Sequence, residues 1–173
     1  MKKIILLLLF VPFIGFSQDC KFEKNEIDPF YKTKVVNTKK RVIVDVLGRT
    51  VVFQFLYNVE PSIKIEYTLG GSSDAVVIKG NKTMFLLNNN DVINFDVNED
   101  QEGKIKEFLG SYLKEFNFIF PLSTDDLNKI KTIGIKTIRL ETKEKTYDFE
   151  VRSKKDVVKI NSIIDCFLNE INK

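Results

Sequence analysis

Residues 50–58, Thr-Val-Val-Phe-Gln-Phe-Leu-Tyr-Asn, and residues 62–68, Ser-Ile-Lys-Ile-Glu-Tyr-Thr, separated by Glu60-Pro61, decide the fold. In the first run Val51, Phe53, Phe55 and Tyr57 share one face. In the second, Ile63, Ile65 and Tyr67 point one way while Lys64, Glu66 and Thr68 point the other. Successive side chains of a strand point to opposite faces, so this period of two predicts antiparallel strands buried on one side. The second face of the first run carries Val52 and Leu56, more apolar than a solvated strand needs; it is either a surface for a partner or lies under the short helix at residues 124–133, and the helix is the expectation.

The same alternation continues outward on both sides. Upstream, Arg41 to Val46 places Val42, Val44 and Val46 on one face and ends at the turn Leu47-Gly48-Arg49. Residues 19–30 are polar, contain Asp28-Pro29, and read as a leader or an edge segment. Downstream, residues 69–74 form a loop. Ala75 to Lys79 and Thr83 to Asn88 flank Gly80-Asn81, which predicts a tight hairpin. The run Asn88-Asn89-Asn90-Asp91 is a turn, because Asn and Asp tolerate positive φ. Val92 to Val97 follows, and Tyr112 to Phe120 brings in Phe116, Phe118 and Phe120 on one face.

The last third changes period. Ser123 is an N-cap, Asp125 and Asp126 favour the positive end of a helix, and Leu127, Ile130 and Ile133 form its apolar stripe before Gly134. Ile135 to Glu141 and Thr146 to Arg152 predict a hairpin that buries Tyr147, Phe149 and Val151. Ser153 then caps a final helix in which Val157, Ile160, Ile163, Ile164, Phe167, Leu168 and Ile171 recur at intervals of three and four, a stripe that needs a sheet to cover. The expected class is α+β: a mostly antiparallel β-meander with a short helix, a late β-hairpin and a C-terminal amphipathic helix packed on the sheet.

The N-terminus reads as a cleavable signal peptide over residues 1–17. Lys2 and Lys3 form a basic start, Ile4 to Ile14 an apolar run, and Gly15 and Ser17 stand at the −3 and −1 positions of a cleavage site. The apolar run is short for an uncleaved anchor. Asp19 immediately before Cys20 argues against a lipoprotein signal. Residues 18–173 are then expected as one domain with its own core and no membrane span. Without Lys2 and Lys3 the charges nearly cancel, 25 basic against 24 acidic residues, which removes the electrostatic reason to expect a nucleic acid. Cys20 and Cys166 are the only cysteines, and in an exported chain a lone pair suggests a disulfide. The alternative is two thiols, with Cys166 packed in its helix.

The chain has no histidine, which removes the commonest general base and the commonest transition-metal ligand. No nucleophile elbow, P-loop or dinucleotide fingerprint occurs. Carboxylate pairs remain available for a small hydrolase, but no tryptophan offers a sugar a stacking platform. Asp96, Asn98, Asp100, Glu102 and Glu107 stand at positions 1, 3, 5, 7 and 12 of an EF-hand-like loop. Position 6 is Gln101 where a sharp turn wants glycine, and a strand rather than a helix precedes it, so a solvated acidic loop is expected. Charge is uneven: residues 88–126 hold nine acids and three bases, and residues 129–159 hold ten bases and five acids. The basic segment offers a face for an anionic glycan, lipid headgroup or protein; two solvated surfaces are the simpler expectation.

The Gly-Phe-Ser-Gln junction at residues 15–18 resembles signal peptides of Bacteroidota-type bacteria. The block from Phe120-Pro121-Leu122-Ser123 through Gly134-Ile135-Lys136-Thr137-Ile138-Arg139-Leu140 to the Cys166 helix resembles small exported proteins of that group with no assigned role. The resemblance covers the leader and the last third and implies no activity, so no functional residues carry over. Together these readings predict a non-catalytic periplasmic or cell-envelope module whose partner is an envelope protein or a glycan. No cofactor, metal or catalytic residue is expected. The alternative is a small carboxylate-dependent hydrolase.

Overall fold

A computed structural model describes residues 20–71 and 74–173; the expected signal peptide, residues 1–17, lies outside them. The fold is α+β and mostly antiparallel, but its strands divide between two sheets. The larger contains β1 (Phe22–Ile27), β2 (Lys34–Thr38), β3 (Arg41–Val46), β4 (Arg49–Asn58), β5 (Glu60–Gly70), β8 (Lys104–Phe108) and β9 (Ser111–Pro121). The smaller contains β6 (Lys82–Leu87), β7 (Val92–Asp96), β10 (Ile135–Glu141) and β11 (Thr146–Glu150). The helices are α1 (Thr124–Ile133) and α2 (Lys154–Ile171).

The large sheet runs β1-β2-β4-β5-β9-β8. β2 and β3 share one edge of β4: Val36 pairs with Tyr57, whereas Arg41 pairs with Phe53. Thr38 fills the break between them, its hydroxyl accepting from the Phe55 amide at 2.9 Å. This side chain supplies the acceptor that a continuous strand would have supplied from its backbone. The small sheet runs β11-β10-β6-β7, so β6 pairs with a strand some fifty residues later.

The two sheets pack face to face through aromatic rings. Phe53 stacks on Phe85 with centroids 5.3 Å apart, Tyr67 meets Phe149 at 5.5 Å, and Phe95 stacks on Phe120 at 5.1 Å. Beside the small sheet, α2 covers β2, β3 and β4, and Phe167 meets Phe55 at 5.6 Å. Phe53 and Phe55 both point inward, so the small sheet and α2 lie side by side on one face of the large sheet. Both helices start as expected: Ser123 accepts from the Asp126 amide and Ser153 from the Asp156 amide. Cys20 and Cys166 form a disulfide with Cα atoms 5.4 Å apart.

Several local expectations are corrected. Val42, Val44 and Val46 do not share a buried face. A register shift between Val42 and Val44 buries Ile43 and Val44 and leaves Val42 and Val46 exposed. Ala75 to Lys79 and Thr83 to Asn88 do not form a hairpin. The first segment is an extended connector held by the bridge Val77–Gln101 and by the Lys143 amide, which donates to Val76 O at 2.8 Å, and β6 pairs with β7 and β10 instead. Val52 and Leu56 do not lie under the short helix: α1 packs against α2, and both side chains stay half-buried on the outer face of the large sheet. The polar stretch after Cys20, expected as a leader or an edge segment, is the edge strand β1, whereas the acidic segment after Asp100, expected as a solvated loop, leads into β8.

Candidate functional site

The most distinctive surface is the β1–β2 connection, Ile27-Asp28-Pro29-Phe30-Tyr31-Lys32-Thr33. Pro29 restricts φ, and Asp28 organises the turn around it. One Asp28 carboxylate oxygen accepts from the Phe30 amide at 2.8 Å and from the Tyr31 amide at 3.0 Å. The Asp28 amide donates to Thr33 O at 2.8 Å, and the Lys32 amide donates to Asp28 O at 2.8 Å. The Tyr31 and Phe30 amides hold the Asp28 carboxyl below its ordinary value, so it stays charged and keeps its grip.

That pinned backbone presents two large rings to solvent: Phe30 is 88% exposed and Tyr31 81%. Ile27 and Val59 are also exposed at this end. Ile27 pairs with Lys34 on β2, and Val35 pairs with Asn58 beside Val59, so the four side chains belong to one end of the large sheet. The end of α2 is tied to the same place. Lys34 donates to Glu170 O at 2.6 Å and to its carboxylate at 3.0 Å. Lys173 first, then Lys34, draw the Glu170 carboxyl down to about 2 against a smaller opposing effect of burial.

A second surface is the outer face of the large sheet, a groove of about 850 Å³. Lys64, Glu66 and Thr68 on β5 form its floor with Glu115 and Asn117 on β9. The segment at Gln101–Gly103 closes one side and Lys40 the other. Gly103 makes this close approach possible: its φ is +73°, and a Cβ would stand 2.8 Å from the Phe116 ring. The charges on this floor are spent on each other. Glu66 takes Lys40 at 2.6 Å and Lys64 at 3.0 Å, and Lys106 takes Glu115 at 2.8 Å. Burial pushes the Glu66 carboxyl up, but the two ammonium groups more than offset it and leave it below its ordinary value.

No known protein family, curated protein or solved structure matches the chain.

The carboxylates that depart from ordinary behaviour all depart the same way. Asp28, Glu66, Asp148, Glu150, Asp156 and Glu170 are held low, Asp148 by Arg139 and Glu150 by Arg152. A general acid needs the opposite shift, from burial or a neighbouring like charge. The calcium-like loop is not gathered either. Asp100 turns its carboxylate to the Lys79 amide at 2.7 Å, Asp96 ends β7, and Glu107 lies within β8. No group of three or more acidic or cysteine ligands converges among the described residues. Cys20 and Cys166, the two site residues read from the sequence, are joined. Among the described residues no helix is long and apolar enough to cross a membrane. Sequence reading missed the Phe30–Tyr31 tip because it took residues 19–30 as a polar leader or edge segment and singled out only Asp28-Pro29 there. Its signal was Asp-Pro followed at once by two aromatic residues.

Proposed function

We propose that this is an exported, non-catalytic interaction module that docks onto an envelope protein through the aromatic end of its large sheet. The observation that carries the reading is the near-complete exposure of Phe30 and Tyr31 on a loop that Asp28 holds in one shape. Large rings on a fixed backbone bring contact area at low ordering cost, which is what binding anchors need. The flanking Ile27 and Val59 suit protein side chains better than the polar edge of a sugar. The disulfide fits an oxidising compartment, in keeping with export. The downward carboxylate shifts weigh against the hydrolase alternative.

The test is photo-crosslinking in an exporting bacterial cell, from an aryl ketone amino acid placed at Tyr31 and, as control, at Lys143. A discrete protein adduct from Tyr31 alone, weakened by Asp28→Ala at unchanged melting temperature, supports the reading. Equal adducts from both positions, or none from Tyr31, overturn it. Turnover of a glycan or ester, abolished by one carboxylate substitution, restores the hydrolase.

A further inference from the structure

The basic segment and the N-terminal corner of the domain meet in a second groove that the docking proposal does not use. It has a volume of about 520 Å³ and runs between the β2–β3 corner and one face of α2, beside the disulfide. Lys21, Lys39, Lys40 and Arg41 line one wall and Lys159 the other, and no carboxylate lines it. Lys40 and Lys159 already hold partners, Glu66 and Asp156. Lys39 and Arg41 form no ion pair among the described residues, so at least two cations face solvent with their charge uncompensated. These residues are some 120 positions apart in sequence; the fold and the disulfide bring them together.

The second ingredient is apolar. Val158 is 64% exposed and Val42 46%, and both line this same groove. Val42 is turned outward by the register shift in β3. A free phosphate or a sulfated sugar would use the cations and ignore the valines. A ligand with an anionic head and a hydrocarbon tail uses both.

We infer that this groove binds the phosphate group of an anionic membrane lipid, with the acyl chain against Val42 and Val158. Arg41 matches a phosphate by its planar, two-pronged donor set, while Lys39 acts as a compact charge. Engagement places α2 and the β2–β3 corner at a bilayer surface.

The experiment uses the oxidised protein and vesicles of phosphatidylglycerol mixed with phosphatidylcholine, or of phosphatidylcholine alone, read by co-sedimentation. Binding is expected on the mixed vesicles only, and it should weaken as salt screens the head-group contact. Each cation near an anionic surface contributes about fivefold, so Lys39→Gln with Arg41→Gln should lower affinity roughly 25-fold at unchanged melting temperature. Val158→Asn, a neutral polar change, should weaken vesicle binding without weakening binding of inorganic polyphosphate. Phe30→Ala with Tyr31→Ala should leave vesicle binding intact, which separates this site from the docking surface. Equal binding to both vesicle types, full affinity in the folded Lys39/Arg41 variant, or indifference to Val158→Asn overturns the inference. Binding of polyphosphate but not of vesicles also overturns it and reassigns the groove to a soluble polyanion.

Discussion

Replacing both Cys20 and Cys166 with alanine should destabilise the protein more than any other change that leaves the folded contacts in place. The bridge spans 146 residues and so closes nearly the whole described chain. In the chain-entropy description, a loop of that length removes about 17 cal/mol/K from the unfolded ensemble, or about 5 kcal/mol at room temperature. The fold itself is kept, with loosening confined to the groove wall beside Cys166, because three other contacts still hold the segments the bridge joins. β1 stays paired with β2, Gln54 still donates to Glu23 at 2.6 Å, and Lys34 still grips Glu170. Alanine suits the helical, buried position of Cys166. With an unfolding entropy of about 2.1 cal/mol/K per residue over roughly 150 residues, 5 kcal/mol corresponds to a fall of roughly 15 °C in melting temperature. Urea unfolding adds an independent readout. Freed of its cross-link the unfolded chain expands, so the m-value should rise as the midpoint falls. A double variant that melts within a few degrees of the parent, with an unchanged m-value, would refute the loop-closure account.

Three further outcomes follow from particular contacts. Phe85→Ala empties a fully buried position between Phe53 at 5.3 Å and Phe95 at 5.0 Å, and should cost about 3–5 kcal/mol by urea titration; a cost under about 1 kcal/mol would mean the two sheets are not joined there. Leu47 stands at φ +48° in the two-residue turn before Gly48 and is 97% exposed, so Leu47→Asn should relieve left-handed strain and raise stability by up to about 1 kcal/mol; a loss of stability would show that the leucine has a contact to lose. The Glu170 carboxyl is lower in the folded state than its ordinary 4.5, so its contribution is present above that pH and is lost as pH falls toward about 2. Melting curves of the parent and Glu170→Gln should therefore differ at neutral pH and converge in acid, and a constant gap would contradict the assignment.

The sequence was most readable where one face of an element is buried and the other is wet. Ile63, Ile65 and Tyr67 on β5, opposite the polar Lys64, Glu66 and Thr68, come nearest that condition, and so does the stripe along α2; on β4 the inward Val51, Phe53 and Phe55 were legible although Gln54 on the other face is buried and Val52 and Leu56 are half-buried. It was least readable at the edges. β1 reads Phe-Glu-Lys-Asn-Glu-Ile and β8 reads Lys-Ile-Lys-Glu-Phe; an edge strand pairs on one side only and stays largely solvated, so its alternation carries little signal. The connector at residues 75–79 erred in the opposite direction. Ala75 and Val77 are buried there without a partner strand, because periodicity reports burial and not hydrogen bonding. Nor could alternation divide the strands between two sheets. It shows that Phe53 and Phe85 both face inward, not that they face each other. The two proposed surfaces were hidden for different reasons. The aromatic tip depends on a local Asp28 turn, and the basic groove joins residues 21–42 to residues 158–166.

The C-terminal half of α2 links those surfaces mechanically. Phe167 is sunk against Phe55, Cys166 is bridged to Cys20, Asp165 pairs with Lys131 of α1, and Glu170 holds Lys34. Four neighbours therefore fix one and a half turns of helix from different directions. Rigid surfaces spend less of their contact energy on ordering, but the two surfaces draw on this clamp unequally. Cys166 lines the basic groove, and Lys21 and Lys39 reach it through the chain that follows Cys20, so reduction should loosen the groove wall. The aromatic tip is shaped by Asp28 and the β1–β2 pairing, neither of which involves sulfur. In protein that is reduced but still folded, vesicle affinity should fall while crosslinking from Tyr31 persists. If both fell together at a temperature well below the melting transition, the two surfaces would be one cooperative unit, and the separate roles assigned to them here would have to be merged.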